Sequence, residues 1–491
     1  MKRLYHLLTI LMALSASAKV YAQAQTPAVF TLEQAIEYAL QHSVLAKNAI
    51  LDEEAAQAKV KETVGIGLPQ VNGSVTVAHN QQLQRFFQTK QVAYGFSGFQ
   101  GDYNDFLPGV GDNDVIAARN FFQLPSSGEA KLSVTQILFN GSYLVGLKAA
   151  NAYKDLAYKA TDQTKEQLIQ QVTKAYYAVL INKERIELFN SNIARVDTLL
   201  RNTKALHENG FAEGIDVDRI KVTLNNLLSE RDKFSDLNQL GVELLKFQIN
   251  YPMSQPLEVA GSIESIEINA DLAHYREDWN YKNRPDYRVL EANRKLQELN
   301  IRNQYANAMP SLAAFLNAGM MTQSRNIGGV FKTETNFSAV PNDQLQSGIG
   351  TDKWYGYSMF GLSLNVPIFS GLQNVYKIQQ QKLSMMKIEN NFKLMESSID
   401  LEIRQASVNF ENALRSLATQ KENMELAGKV ARVTKIKYEQ GVGSNLEVVD
   451  AEDGLRQAQI NYYSALFDAA VAKVDLDKAY GSLLTPANEN K

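Results

Sequence analysis

Residues 133–141 read SVTQILFNG, and residues 363–371 read SLNVPIFSG; 363 minus 133 gives an offset of 230. Further along, ENGFAEGIDV at 208–217 lies over EQGVGSNLEV at 439–448, with an offset of 231. The offset barely changes across the interval, so a rigid element is expected to fill it in both copies. A proline marker repeats as well: LPQV at 68–71 and MPSL at 309–312 each precede a β-like run, here at an offset of 241. The loop between strands is therefore about ten residues longer in the first copy. Self-similarity on this scale means duplication of a whole substructure.

The interval reads as helix. From Ile169 the apolar positions are Val172, Tyr176, Val179, Ile186, Phe189, Ile193, Val196 and Leu200, with steps of three and four dominating. The second copy has Ile399, Ile403, Ala406, Phe410, Leu414 and Leu417, and no proline interrupts 142–209 or 372–440. As one helix, either stretch would run for about 100 Å, which suits a coiled-coil-like or tubular element rather than a globular core. Thr31 with Gln34 reads as a capping box opening a helix to about Val64. Further helices are expected over 215–250, 285–308 and 446–481, and 251–283 reads as an irregular side region.

Four stretches alternate with period two instead. Val71, Val75 and Val77 alternate with Asn72, Ser74 and Thr76; Leu132 and Val134 with Lys131, Ser133 and Thr135. Leu312, Leu316 and Ala318 form a weaker third, and Phe360, Leu362, Leu364 and Val366 the clearest. Strands are thus expected over about 71–79, 130–139, 311–319 and 357–367, each apolar on one face. The loops at 80–128 and 320–356 are long and polar, and Phe121, Phe122, Trp354, Tyr355 and Tyr357 lie near strand ends as an interfacial girdle would.

The opening residues read as an export signal: Lys2 and Arg3, an apolar run from Leu4 to Leu14, then small residues to Ala22, with Ala18 as a second cleavage option. The 491-residue chain has no cysteine, which excludes disulfides, thiolate metal sites and a lipidated cysteine. A net charge of −3 leaves no basic footprint for nucleic acid. After the signal no run is long and apolar enough for a membrane helix, so any membrane crossing must use a closed β-barrel. Four strands cannot close one, because the practical minimum is about eight. Either copies of the chain pair through their edges, or the strands are not membrane strands.

Taken together, the signal, the duplicated helix–strand–strand–helix units, LPQV, MPSL, FNG, PIFSG and YEQGVGSNLEVVDAE at 438–452 resemble the TolC-like outer-membrane efflux family, in its unlipidated branch. The resemblance covers essentially all of the mature chain. It implies a mainly α fold with a small β part: a long α-helical barrel, plus four strands per chain in a twelve-stranded trimeric β-barrel. Its implied organisation is a signal at 1–22, repeats at 23–250 and 284–481, an equatorial region at 251–283 and a tail at 482–491. The implied function is that of a homotrimeric outer-membrane channel of a Gram-negative cell, with a long periplasmic extension. It would be the passive exit duct of efflux or type I secretion, contacting outer-membrane lipid, a periplasmic adaptor and a proton- or ATP-driven inner-membrane pump. Glu447 and Asp450 fall where the family's tip carboxylates sit; Asp216 matches a gate carboxylate and Tyr438 a gate tyrosine. Gly443 stands where some members carry the gate's arginine, and Gly210 and Gly441 allow the tight helix–helix turns.

Nothing points to catalysis, a metal or a cofactor. Gly141 and Gly146 have phosphate-loop spacing, but Leu147-Lys148-Ala149 follows where that loop needs Gly-Lys-Ser/Thr. His42, His79, His207 and His274 are isolated. Asp102, Asp105, Asp112 and Asp114 cluster in the first long loop, where they would serve either divalent ions or plain solvation. The alternative to a channel is a periplasmic or surface coiled-coil protein without a pore.

Overall fold

The structure, a computed structural model, describes residues 27–118, 120, 123–266, 268, 279–332, 335–336 and 354–484. The export signal, Phe121, Phe122, His274 and the last residues of the tail lie outside them. The protein is mainly helical with a small β component. Two compact units cut across the two repeats: one holds residues up to 58, 151–298 and from 383 on, the other 59–150 and 299–382.

In the first unit, β1 (Ala28–Phe30) pairs in parallel with β6 (Leu257–Val259). This corrects the reading of 251–283 as irregular. Leu257 and Val259 are buried while Glu258 is exposed, an alternation of three residues that is too short to stand out in a sequence. The strand pair joins α1 (Leu32–His42), α4 (Gly141–Glu208), α5 (Gly214–Ile249) and α8 (Asn445–Tyr480) around a core of Leu168, Val172, Tyr176, Leu180, Leu245, Ile249 and Val474. Tyr176 and Tyr177 belong to that core, and the Tyr176 hydroxyl lies 2.9 Å from the Phe30 carbonyl and 2.6 Å from that of Ala260. A second cluster along α4 gathers Phe189 and Val196 against Ile220 and Leu227 of α5.

The capping box is present, with Thr31 Oγ1 accepting from Gln34 N and Gln34 Oε1 from Thr31 N. The helix it opens does not run to Val64. It stops at His42, Ser43 is extended (φ −56°, ψ 139°), and α2 (Val44–Ile66) starts afresh. Tertiary contacts make the break. Asn250, in the left-handed conformation that ends α5, donates its side-chain amide to the His42 carbonyl at 3.0 Å, and Ser43 is buried. His42 stacks on Tyr38 with ring centroids 4.1 Å apart.

In the second unit, β2 (Gln70–His79), β5 (Ser126–Asn140), β7 (Ser311–Ser324) and β9 (Trp354–Asn365) form an antiparallel sheet in that order. The two-residue β8 (Thr335–Asn336) touches the start of β9. All four strands exceed or shift their expected spans; β7, for example, continues through Met320–Ser324. The loop after β2 is not plain coil. It folds into a hairpin of β3 (Phe86–Thr89) and β4 (Val115–Ala118) with α3 (Lys90–Ser97), sealed by Tyr94 against Phe99, Tyr103 and Phe106. The remaining long helices are α6 (Pro285–Ala306) and α7 (Gln373–Glu439), and a single helical turn, Ile327–Val330, follows β7. Among the described residues no helix is long and apolar enough to cross a membrane.

Candidate functional site

Successive strand residues point to opposite faces, so the register of the sheet decides what each face presents. One row across all four strands reads Val71, Val134, Leu316, Phe360. Leu132 with Ala318, Ala314 with Leu362, and Leu312 with Leu364 lie on the same face. Every strand residue singled out by alternation falls here except Val366, which lies beyond the end of β9. The opposite face reads Asn72, Ser133, Asn317, Met359 in one row and Thr76, Glu129, Met321, Tyr355 in the next. Tyr357 lies on this polar face and donates to Glu129 Oε1 at 2.6 Å. Tyr355 and Tyr357 are thus no girdle on the apolar face; Trp354 has the parity for it, with its indole N–H donating to the Val330 carbonyl.

Among the described residues the middle of the apolar face is uncovered; at one end the short helix Ile327–Val330 and Trp354 close over Gly128. Val71, Val75, Leu132, Leu316, Leu362 and Leu364 are exposed, and Phe360 is 85% exposed. The outer edge of β2 has no partner strand, and beyond Tyr355 the outer edge of β9 has none among the described residues. An exposed apolar face on a sheet whose outer edges lack partner strands over most of their length, among the described residues, is a surface open to further pairing.

The two helical turns are built alike. In the first, Gly210 (φ +81°) follows α4, its N–H donating to the His207 carbonyl, while Phe211 N reaches back to Leu206 O at 2.8 Å. In the second, Gly441 (φ +75°) follows α7, Gly441 N donates to Tyr438 O, and Val442 N reaches Lys437 O at 3.0 Å. Both are glycine C-caps that satisfy otherwise unpaired end carbonyls, and the positive φ is why glycine stands there. Phe211 and Val442, next in each turn, are 81% and 76% exposed.

The remaining predicted residues flank these turns. Asp216 lies in the first turn of α5, 3.9 Å from Arg219 of the same helix. Glu447 lies in the first turn of α8, its N–H held by the Ser444 cap, and Asp450 is one turn on; both are exposed. Tyr438 is half-buried in the last turn of α7. No hydrogen bond or ion pair joins these four side chains to one another. Gly443 is tightly cradled, because a Cβ there would come within 3.2 Å of Lys437 Cβ and of the Tyr438 nitrogen.

Sequence reasoning missed the ion pair that does lock this region. Arg195 of α4 donates through Nε to Glu452 of α8 at 3.0 Å, while its Nη2 engages Asn192. Glu452 closes the YEQGVGSNLEVVDAE stretch, but its partner lies 257 residues away in the chain. Asn445 is the other surprise: it is buried at the start of α8 with both amide atoms unpartnered.

The other candidates have structural roles. Asp102 caps a short turn, Asp112 accepts from Tyr103, and Asp114 accepts from Gly111 N, so these carboxylates hold the loop's own shape. His79 meets Ser126 at 2.8 Å and His207 meets the Ala212 carbonyl at 2.9 Å. Gly141 opens α4 and Gly146 sits within it, so neither belongs to a phosphate loop.

Comparison with known proteins agrees with this layout. The family profile described as outer membrane efflux protein matches residues 35–239 and 281–482. Nodulation protein T of Rhizobium leguminosarum bv. trifolii is 22% identical over 77% of this chain and 76% of its own length. Outer membrane protein TolC of Vibrio cholerae is 21% identical over 72% and 76%. Among solved structures, the outer membrane protein VceC of Vibrio cholerae superposes with a TM-score of 0.65 at 14% identity, covering 92% of this chain and 96% of that one. The open state of the MtrE outer membrane channel of Neisseria gonorrhoeae gives 0.66 at 18%, covering 92% and 89%.

Proposed function

Because the chain belongs to the outer membrane efflux protein family, whose members are outer-membrane channels of Gram-negative bacteria and not enzymes, we propose that it works as a homotrimer forming the passive exit duct of an efflux or secretion system. The observation that carries this is the sheet: four strands, one exposed apolar face, one polar face, and outer edges mostly without partner strands among the described residues. Three copies joined edge to edge make twelve strands, enough to close a barrel with the apolar rows toward lipid and Asn72, Ser133 and Asn317 toward a wet lumen.

The helical turns are the docking and gating end in this reading. Phe211 and Val442 are apolar side chains held out by rigid turns, suited to contacts with a periplasmic adaptor that links the duct to an inner-membrane pump. Threefold symmetry turns Glu447 and Asp450 into six carboxylates around one axis, a ring that favours cations. Asp216 and Tyr438 flank it. The tight cradle of Gly443 means that this gate works without an arginine there, and Arg195–Glu452 takes over the tie between α4 and α8. The twin turns support reading 23–250 and 284–481 as two copies of one unit.

The test is electrophoresis and conductance of the detergent-purified protein. The expected result is a heat-modifiable trimer whose channels in planar bilayers prefer cations, with Glu447→Gln/Asp450→Asn reducing that preference several-fold. A monomer that stays soluble without detergent and conducts nothing overturns the reading in favour of a poreless coiled-coil protein.

A further inference from the structure

Unit one contains a buried carboxyl that neither the sheet nor the tips use. Glu166 sits in α4 with only 2% of its surface exposed, and its Oε1 is buried without a hydrogen-bond partner. Beside it lies a set of charged groups from three other elements. Arg284, buried just ahead of α6, donates Nε and Nη2 to the two oxygens of Asp286 at 3.1 and 2.7 Å. Its Nη1 donates to Glu402 of α7 at 2.8 Å and to the Ala479 carbonyl of α8 at 3.1 Å. Lys478 of α8 completes the set, 3.8 Å from the other oxygen of Glu402. One turn along both helices, Asp162 of α4 faces Arg288 of α6 at 3.8 Å.

Arg284 and Lys478 are matched by Asp286 and Glu402, so the group is neutral without Glu166. Ionising Glu166 adds a third carboxylate to two cations, of which Arg284 already spends Nε, Nη1 and Nη2 on Asp286, Glu402 and Ala479, in a place with little water to screen it. We propose that Glu166 is a proton-operated latch: protonated, it lets the junction of α4, α6, α7 and the end of α8 close tightly around Arg284; ionised, it strains and loosens that junction.

Burial pushes the Glu166 carboxyl up from 4.5 to about 7; Arg284 and Lys478 oppose the rise, and Asp286 and Glu402 add to it. The folded protein then holds a proton that the unfolded chain has released between pH 4.5 and about 7. Stability from this group is complete below 4.5, falls as pH climbs through about 7, and levels off above it. The switch therefore works near neutrality, where a carboxyl ordinarily does nothing.

A built-in reporter sits next to the latch. Trp279 packs on Tyr480 with ring centroids 6.0 Å apart, next to Phe410, Leu476 and Ala479. With Trp354 replaced by Phe, Trp279 is the only indole in the chain. The experiment follows Trp279 fluorescence and hydrogen exchange of 476–484, corrected for intrinsic rates, from pH 5 to 8.5 in the detergent-solubilised full-length protein. The expected result is a transition with a midpoint near 7 that vanishes in Glu166→Gln, and local opening at pH 8 about a hundredfold more frequent in the parent. Glu166→Met, which also removes the proton, repeats the comparison should the glutamine variant not assemble. A parent protein whose midpoint lies below 5.5, or variants that keep the same transition, overturns the proposal.

Discussion

At the scale of single residues, the strongest lesson is the pair that joins α4 to α8. Glu452 is largely buried and Arg195 is shared between it and Asn192, so removing either side chain strands a charged partner. Arg195→Ala or Glu452→Gln is expected to weaken the protomer by about 1–3 kcal/mol. The double variant should cost no more than the worse single, since the pair acts as a unit. Hydrogen exchange at 445–456 reads the effect; additive costs show that the two side chains act separately. Asp216, Glu447 and Asp450 were singled out by the family resemblance of the repeated turns, whereas Arg195 carries no local mark. It is one of many charged residues on a helix surface, and only the fold brings it to Glu452.

At the scale of elements, the sheet obeys its alternation closely enough to design against. A lysine at Phe360, at the β9 end of the apolar row, is expected to cost about 2–4 kcal/mol of membrane stability. Thr76→Lys, on the polar face opposite Glu129, is expected to leave assembly intact. Comparing the heat-modifiable trimer in outer-membrane fractions tests both, and equal behaviour of the two variants sinks the facial assignment. The same alternation made the strands legible in advance, because apolar residues recur at every second position along a strand, as in Val75 and Val77, Leu132 and Val134, and Phe360, Leu362 and Leu364. Helix α1 was misjudged for a complementary reason. Residues 32–64 hold neither glycine nor proline, and the break at Ser43 is imposed by Asn250 from another helix. The β1–β6 pair escaped notice because three residues carry no period.

At the scale of the whole molecule, the edges of β2 and β9, without partner strands among the described residues, and the exposed apolar rows are what the proposed trimer would cover. If the trimer forms as proposed, association adds to the stability of the fold, and thermal stability should rise with protein concentration. A midpoint that stays constant over a hundredfold dilution in detergent would show instead that the protomer stands alone. The exposed face has a further consequence, for the life of the chain before the proposed trimer assembles. A newly exported copy presents Phe360, Leu362 and Leu364 to water, the kind of surface that aggregates or attracts holding chaperones and proteases. In the proposed trimer, its survival is a race between capture by those factors and encounter with two siblings. A strain making this protein slowly should therefore lose a larger share of it to degradation than one making it fast.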